Sequence, residues 1–118
     1  LQHACPSPDG GRAIVTCDSE GFVSWLDARA PGGGGRLQRA RRRELDEKKI
    51  NTVALHPTKP HYLVTAGNAR VARLWDVRRL PPEKANGALP DPLAAFADTR
   101  SINSAQFSPD GTKVVCRR

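Results

Sequence analysis

The sequence predicts an all-β protein: two four-stranded antiparallel blades of a β-propeller and part of a third, truncated at both ends. Three observations carry this. The stretch Leu63–Arg78 (LVTAGNARVARLWDVR) reads as two short strands around a turn at Gly67-Asn68 and closes on Trp75-Asp76, a dipeptide that marks propeller blades. The pattern occurs earlier too. With an offset of 49, Pro8 falls on Pro57, Thr16 on Thr65, Val23 on Ala72, Asp27 on Asp76 and Arg29 on Arg78. A partial third copy, Ser104–Arg118, brings Pro109 onto Pro57 at an offset of 52. A period near 50 with four strand-like segments per unit means a propeller rather than a helical solenoid.

The elements follow in order. Ser7-Pro8-Asp9-Gly10 and Ser108-Pro109-Asp110-Gly111 suit type I turns between the first two strands of a blade, with Pro at the second position and Gly at the fourth. In the first unit Ala13–Cys17 is the second strand and Phe22–Leu26 the third, with Asp18-Ser19-Glu20-Gly21 turning between them. Ala30–Gly35 is a Pro/Gly-rich loop. Leu37–Arg42 is expected as the charged outer strand. A helix over Leu37–Lys48 is the alternative, since its Arg, Glu and Leu are helix formers; the repeat favours the strand. The second unit has strands at Asn51–Leu55, Tyr62–Ala66, Val71–Trp75 and Leu93–Ala97, with a Pro-rich insertion at Leu80–Pro92. Ile102–Phe107 and Lys113–Cys116 open the third. The blades are therefore residues 1–42 (lacking its beginning), 43–97 (complete) and 98–118 (a start).

The net charge is +7 and the pI about 10.0, with the arginines clustered. Such a balance favours polyanionic partners, nucleic acid first. Cys5, Cys17 and Cys116 form no CxxC pair, and His3, His56 and His61 show no ligand spacing, so free buried thiols are expected rather than a metal site or disulfide. No apolar run approaches the roughly 20 residues of a membrane span. No phosphate loop with Lys-Ser/Thr, no arguable Ser/His/Asp set and no paired carboxylates in an apolar setting support catalysis. A binding module is expected, not an enzyme, with no cofactor, metal, membrane or small-molecule substrate.

Four features, Asp46-Glu47-Lys48-Lys49-Ile50-Asn51, Val53–Pro57, Leu63–Arg78 and Asp98–Ile102 leading into Ser108-Pro109, resemble the DNA damage-binding WD-repeat proteins. These comprise the family of WD repeat-containing protein 76 with its fungal relatives and, more distantly, the small subunit of the damaged-DNA-binding heterodimer. There are departures. Leu26 takes the Trp slot of the first unit and Trp25 sits one residue earlier; the turn Asp is missing at Asn68-Ala69, and no Gly-His precedes the inner strands. The side-chain network that braces such blades is thus expected to be incomplete, leaving packing to hold them.

The resemblance implies two surfaces and a nuclear protein. An Asp-x-Arg ending the third strand seats relatives on the adaptor of cullin-4 ubiquitin ligases, and it occurs here as Asp27/Arg29 and Asp76/Arg78. The Asp can fix the turn by accepting backbone N–H bonds, which aims the five-donor Arg fork. The bland alternative is a turn cap beside a solvated Arg. The second implied surface binds DNA or chromatin on the opposite rim. Loops entering an inner strand and turns between second and third strands share that rim. Arg41, Arg42, Arg43, Lys48 and Lys49 lead into the second blade, Arg70 lies in its hairpin, and Arg100 leads into the third. All are expected to meet phosphates there. The alternative is a solvated loop partly neutralised by Glu44, Asp46 and Glu47. Tyr62, Phe96, Phe107 and Trp75 are expected in the core. Rival partners are histone tails or other peptides at the central opening, or an RNA-processing assembly.

Overall fold

A computed structural model describes residues 3–6, 13–27, 38–59, 61–80 and 90–117. The turn at Ser7–Gly10, the loop at Ala30–Gly35 with Arg29, and most of the insertion after Leu80 lie outside them.

Ten strands alternate along the described chain: β1 His3–Pro6, β2 Ala13–Cys17, β3 Phe22–Asp27, β4 Gln38–Glu44, β5 Ile50–Leu55, β6 Tyr62–Gly67, β7 Val71–Asp76, β8 Ala94–Ala97, β9 Ser104–Phe107 and β10 Val114–Arg117. They form two antiparallel four-stranded sheets, β1-β2-β3-β4 and β5-β6-β7-β8, and a β9-β10 pair. The first sheet includes β1, paired from His3↔Cys17 to Pro6↔Ile14, where the sequence suggests a blade without its beginning. The outer strand is a strand and not a helix. It runs to Glu44, past the expected end at Arg42, because Arg43 and Glu44 still face Val23 and Phe22 across the ladder. One short element has no counterpart in the sequence reading, a 3-10 turn at Val77–Arg79.

Period-2 alternation gives the central strand β6 two buried faces, one toward each neighbouring blade, while β2 buries one, at Val15 and Cys17. The first seam buries Val15, Cys17 and Val23 of one blade against Val53, Leu63 and Trp75 of the next, with Leu45 and Ile50 from the connection. The half-buried Trp25 packs on this same seam. The displaced tryptophan is thus a change of side: Trp25 faces forward from the first blade and Trp75 faces back from the second. The next seam is built from smaller residues, Ala54, Val64, Ala66 and Ala72 against Ile102 and Ala105.

Part of the bracing network survives: the buried Trp75 Nε1–H donates to Thr65 Oγ1 at 2.9 Å. Across the second seam, His56 Nδ1 accepts from the Thr58 and Lys59 amides at 3.1 and 3.0 Å. That leaves the ring proton on Nε2, which donates to the Gly111 carbonyl at 3.0 Å. Two expectations need correction. Phe96 is 52% exposed, because β8 is the outermost strand and Ala95, Phe96 and Ala97 all meet solvent. Only Cys17 among the thiols is buried; Cys5 is half-buried and Cys116 exposed on β10. Burial pushes the Cys17 thiol up to about 11, which leaves it unreactive.

Candidate nucleic-acid rim and partner-binding rim

At one end of the blades, the loop that enters each new blade is fastened to the hairpin of the blade before it. Leu45 N and Asp46 N donate to Gly21 O, and Ile50 N donates to Asp18 O. One blade on, Asp98 N donates to Arg70 O and Ile102 N to Gly67 O. The loop Asp46–Lys49 is also held from the second blade, where Asn68 N donates to Lys49 O at 3.0 Å. Two glycines make this approach possible. A Cβ on Gly21 would collide with the Asp46 carbonyl, and one on Gly67 with the Lys49 carbonyl. Ile50 and Ile102 are the buried anchors of the two loops.

This symmetry has a sequence basis. Asp46-Glu47-Lys48-Lys49-Ile50-Asn51 and Asp98-Thr99-Arg100-Ser101-Ile102-Asn103 align at an offset of 52. Lys48 and Arg100 therefore occupy equivalent positions in successive blades, and both are exposed. Arg70 closes the hairpin between them, also exposed, with a left-handed backbone at φ 63°. Lys49 is half-buried beside Asn68. The structure thus brings Lys48, Lys49, Arg70 and Arg100 to one rim.

Arg41, Arg42 and Arg43 are placed differently from expectation. All three lie within β4, including Arg43, which the sequence puts just past the end of that strand, and alternation sends them to different faces. Arg42 stacks over Phe22 at 3.8 Å and pairs with Asp18 at 3.4 Å. Arg41 turns to the far end of the blade, over the Trp25 ring, and donates to Val77 O at 3.3 Å. Arg43, half-buried, donates to Arg42 O. Arg41 and Arg42 thus cover aromatic rings rather than reaching into solvent from the loop.

At the opposite end, Asp76 is buried and closes β7. Its Oδ1 accepts from the Arg78 amide at 3.0 Å and from Arg78 Nε at 3.1 Å; its Oδ2 accepts from Nη2 at 3.0 Å. These bonds, above all that from the Arg78 side chain, hold the Asp76 carboxyl below the usual carboxylate range. Arg78 is nonetheless 64% exposed, so the pair presents a pre-aimed guanidinium to solvent. Arg79 stands beside it, 3.8 Å from the same carboxylate. Asp27 ends β3 at the corresponding place, and Arg29 lies outside the described residues.

Comparison with known proteins finds WD-repeat and DNA damage-binding homologues. The chain is similar to Protein DAMAGED DNA-BINDING 2 of Arabidopsis thaliana, at 30% identity over 86% of this chain and 17% of that protein. It is similar to WD repeat-containing protein 76 of Rhinolophus ferrumequinum, at 36% identity over 81% of this chain and 14% of that protein. It is also similar to DNA damage-binding protein cmr1 of Aspergillus terreus, at 46% identity over 78% of this chain and 16% of that protein. The chain is a WD-repeat homologue of the DNA damage-binding proteins. No protein-family model matches it. It spans only those small fractions of its relatives' lengths.

Within this WD-repeat segment, three residues near the rims escape sequence reasoning: Asp46, Arg73 and Arg79. Asp46 reads as a neutralising charge in a solvated loop. It is buried, and Arg73 Nη1 donates to its Oδ2 at 2.6 Å. Arg73 looks like one more strand residue between Ala72 and Leu74. Its signal is the same alternation that buries Ala72, which turns Arg73 to the face where the loop from the first blade arrives. Arg79 carries no signal beyond its place beside Arg78.

Proposed function

We propose that the protein is a non-catalytic DNA- or chromatin-binding WD-repeat protein of the DNA damage response, acting in the nucleus. In this reading Lys48, Lys49, Arg70 and Arg100 grip phosphates on one rim. Asp76/Arg78, with Asp27/Arg29 one blade earlier, meet the adaptor of a cullin-4 ubiquitin ligase on the other. The observation that carries the DNA reading is the repeated entry loop: successive blades place a cation, Lys48 and then Arg100, at the same position on one rim. Evenly placed cations suit a polymer of evenly placed phosphates, and such contacts position without reading sequence. The names of the relatives point the same way.

The test is salt-dependent DNA binding by the intact protein with Lys48→Ala and Lys49→Ala together. Affinity should fall, and the slope of log K against log salt should flatten by roughly two units, about 0.9 for each phosphate that is no longer neutralised. A slope that does not move removes this rim as the phosphate site.

A further inference from the structure

Asp46 is an acidic residue at the centre of a basic rim. On charge alone it opposes a polyanion. Its bonds suggest otherwise. Its amide donates to Gly21 O of the first blade. Its Oδ1 accepts from the Lys48 amide at 3.0 Å. Its Oδ2 accepts from Arg73 of the second blade at 2.6 Å. The side chain is only 6% exposed. A cleft of about 310 Å³ opens over this pair, lined by Asp46, Glu47, Lys48, Ala69 and Arg73. One residue thus joins three parts: its amide holds the hairpin of the first blade, and its carboxylate ties the main chain of the Lys48 loop to the third strand of the next blade.

We infer that Asp46, clamped by Arg73, is a positioning residue that fixes the main chain beneath Lys48 and so sets where that ammonium stands for a DNA phosphate. The inference rests on the DNA-binding reading of this rim. Main-chain bonds hold the two ends of the loop; without the clamp its tip at Lys48 must order itself as the duplex arrives, and that ordering subtracts from affinity. Positioning and simple electrostatics then predict opposite signs. Removing a negative charge beside phosphates tightens binding if only charge matters. It weakens binding if Asp46 acts by holding Lys48.

The experiment measures binding of the intact protein to a mixed-sequence duplex with and without a single abasic site. The variants are Asp46→Asn, Asp46→Ala, Lys48→Ala and the Asp46→Asn/Lys48→Ala double. Asp46→Asn can keep an acceptor for the Lys48 amide while losing the ion pair, so it is the milder change. Asp46→Asn is expected to weaken both duplexes about threefold or more, the low end of coupling within one bonded network. Its effect should largely vanish in the Lys48→Ala background, and Asp46→Glu should restore part of the affinity. Unchanged or tighter binding by Asp46→Asn, while Lys48→Ala still weakens binding, overturns the inference. If Lys48→Ala has no effect, the DNA reading of this position fails instead. Should the Asp46 variants not fold, hydrogen exchange on the unaltered protein decides: the Lys48 amide must be protected relative to that of Glu47, and equal exchange overturns the clamp.

Discussion

Trp25 and Trp75 pack into one apolar cluster from opposite sides, the first projecting forward from one blade and the second back from the next. Trp75 is almost wholly buried and donates its indole N–H to Thr65 Oγ1. Trp75→Ala should therefore cost about 3–5 kcal/mol of stability in urea unfolding of the intact protein. Thr65→Val keeps the shape and leaves the indole N–H unpaired, which should cost about 1–3 kcal/mol. Trp25→Ala should cost less than Trp75→Ala, since Trp25 is half-buried.

Gly21 is the second position where a small change should be felt. It sits at φ 86°, and a side chain there meets the Asp46 carbonyl. Gly21→Ala should destabilise by about 1 kcal/mol or more, because the backbone conformation and the close approach both oppose it. DNA affinity should fall in the same variant, as the Asp46–Lys49 loop is pushed from its seat. A binding curve that overlays the unaltered protein's would separate the loop from DNA recognition.

Acid should loosen the turn at the start of the third blade. Asp110 accepts from the Ser108 hydroxyl at 2.6 Å and from the Thr112 amide and hydroxyl, and these bonds hold its carboxyl down to about 2. A carboxyl lowered in the folded state adds stability above its unfolded value, about 3.9, and loses that contribution as pH falls toward about 2. Asp76, lowered by Arg78, acts in the same direction. Asp110→Ala should flatten the decline in thermal stability between about pH 4 and about pH 2; an unaltered decline would assign it to other carboxylates.

The opposite rim makes a separate prediction. Arg78→Ala with Arg29→Ala should reduce pull-down of the cullin-4 adaptor and leave DNA binding intact, since the two rims lie at opposite strand ends. Truncating one partner of a buried interfacial charge pair typically costs about 2–5 kcal/mol of affinity. Asp76→Asn should reduce pull-down less, because Arg78 keeps its charge and loses its bidentate support. Equal pull-down by all of these variants would exclude the Asp-x-Arg as the contact.

Most of the fold is legible in the sequence because strand alternation, turn chemistry and a repeat near 50 residues all point to one architecture. The rim cations Lys48, Arg70 and Arg100 are legible because loop position alone places them. Arg41–Arg43 are not. The place of Arg43 depends on β4 continuing past Arg42, and those of Arg41 and Arg42 on Trp25 and Phe22 offering rings to cover, which a charge run does not reveal. Asp46 is obscured for a related reason. A carboxylate among cations looks like partial neutralisation, and only the arrival of Arg73 from the next blade makes it an internal tie. Phe96 shows the converse: an aromatic in a strand is not a core residue when that strand is the outermost.

The entry loops are fastened largely through main-chain atoms: the carbonyls of Asp18, Gly21, Gly67 and Arg70 receive the amides of Ile50, Leu45, Ile102 and Asp98. The side chains at the tips of those loops are thereby released from structural duty. Their charge can be exchanged, strengthened or removed by single mutations without refolding the blade, and Lys48 standing where the next blade has Arg100 is one such exchange already made. A rim built this way is evolvable: its preference among anionic ligands can drift while the scaffold beneath it stays fixed.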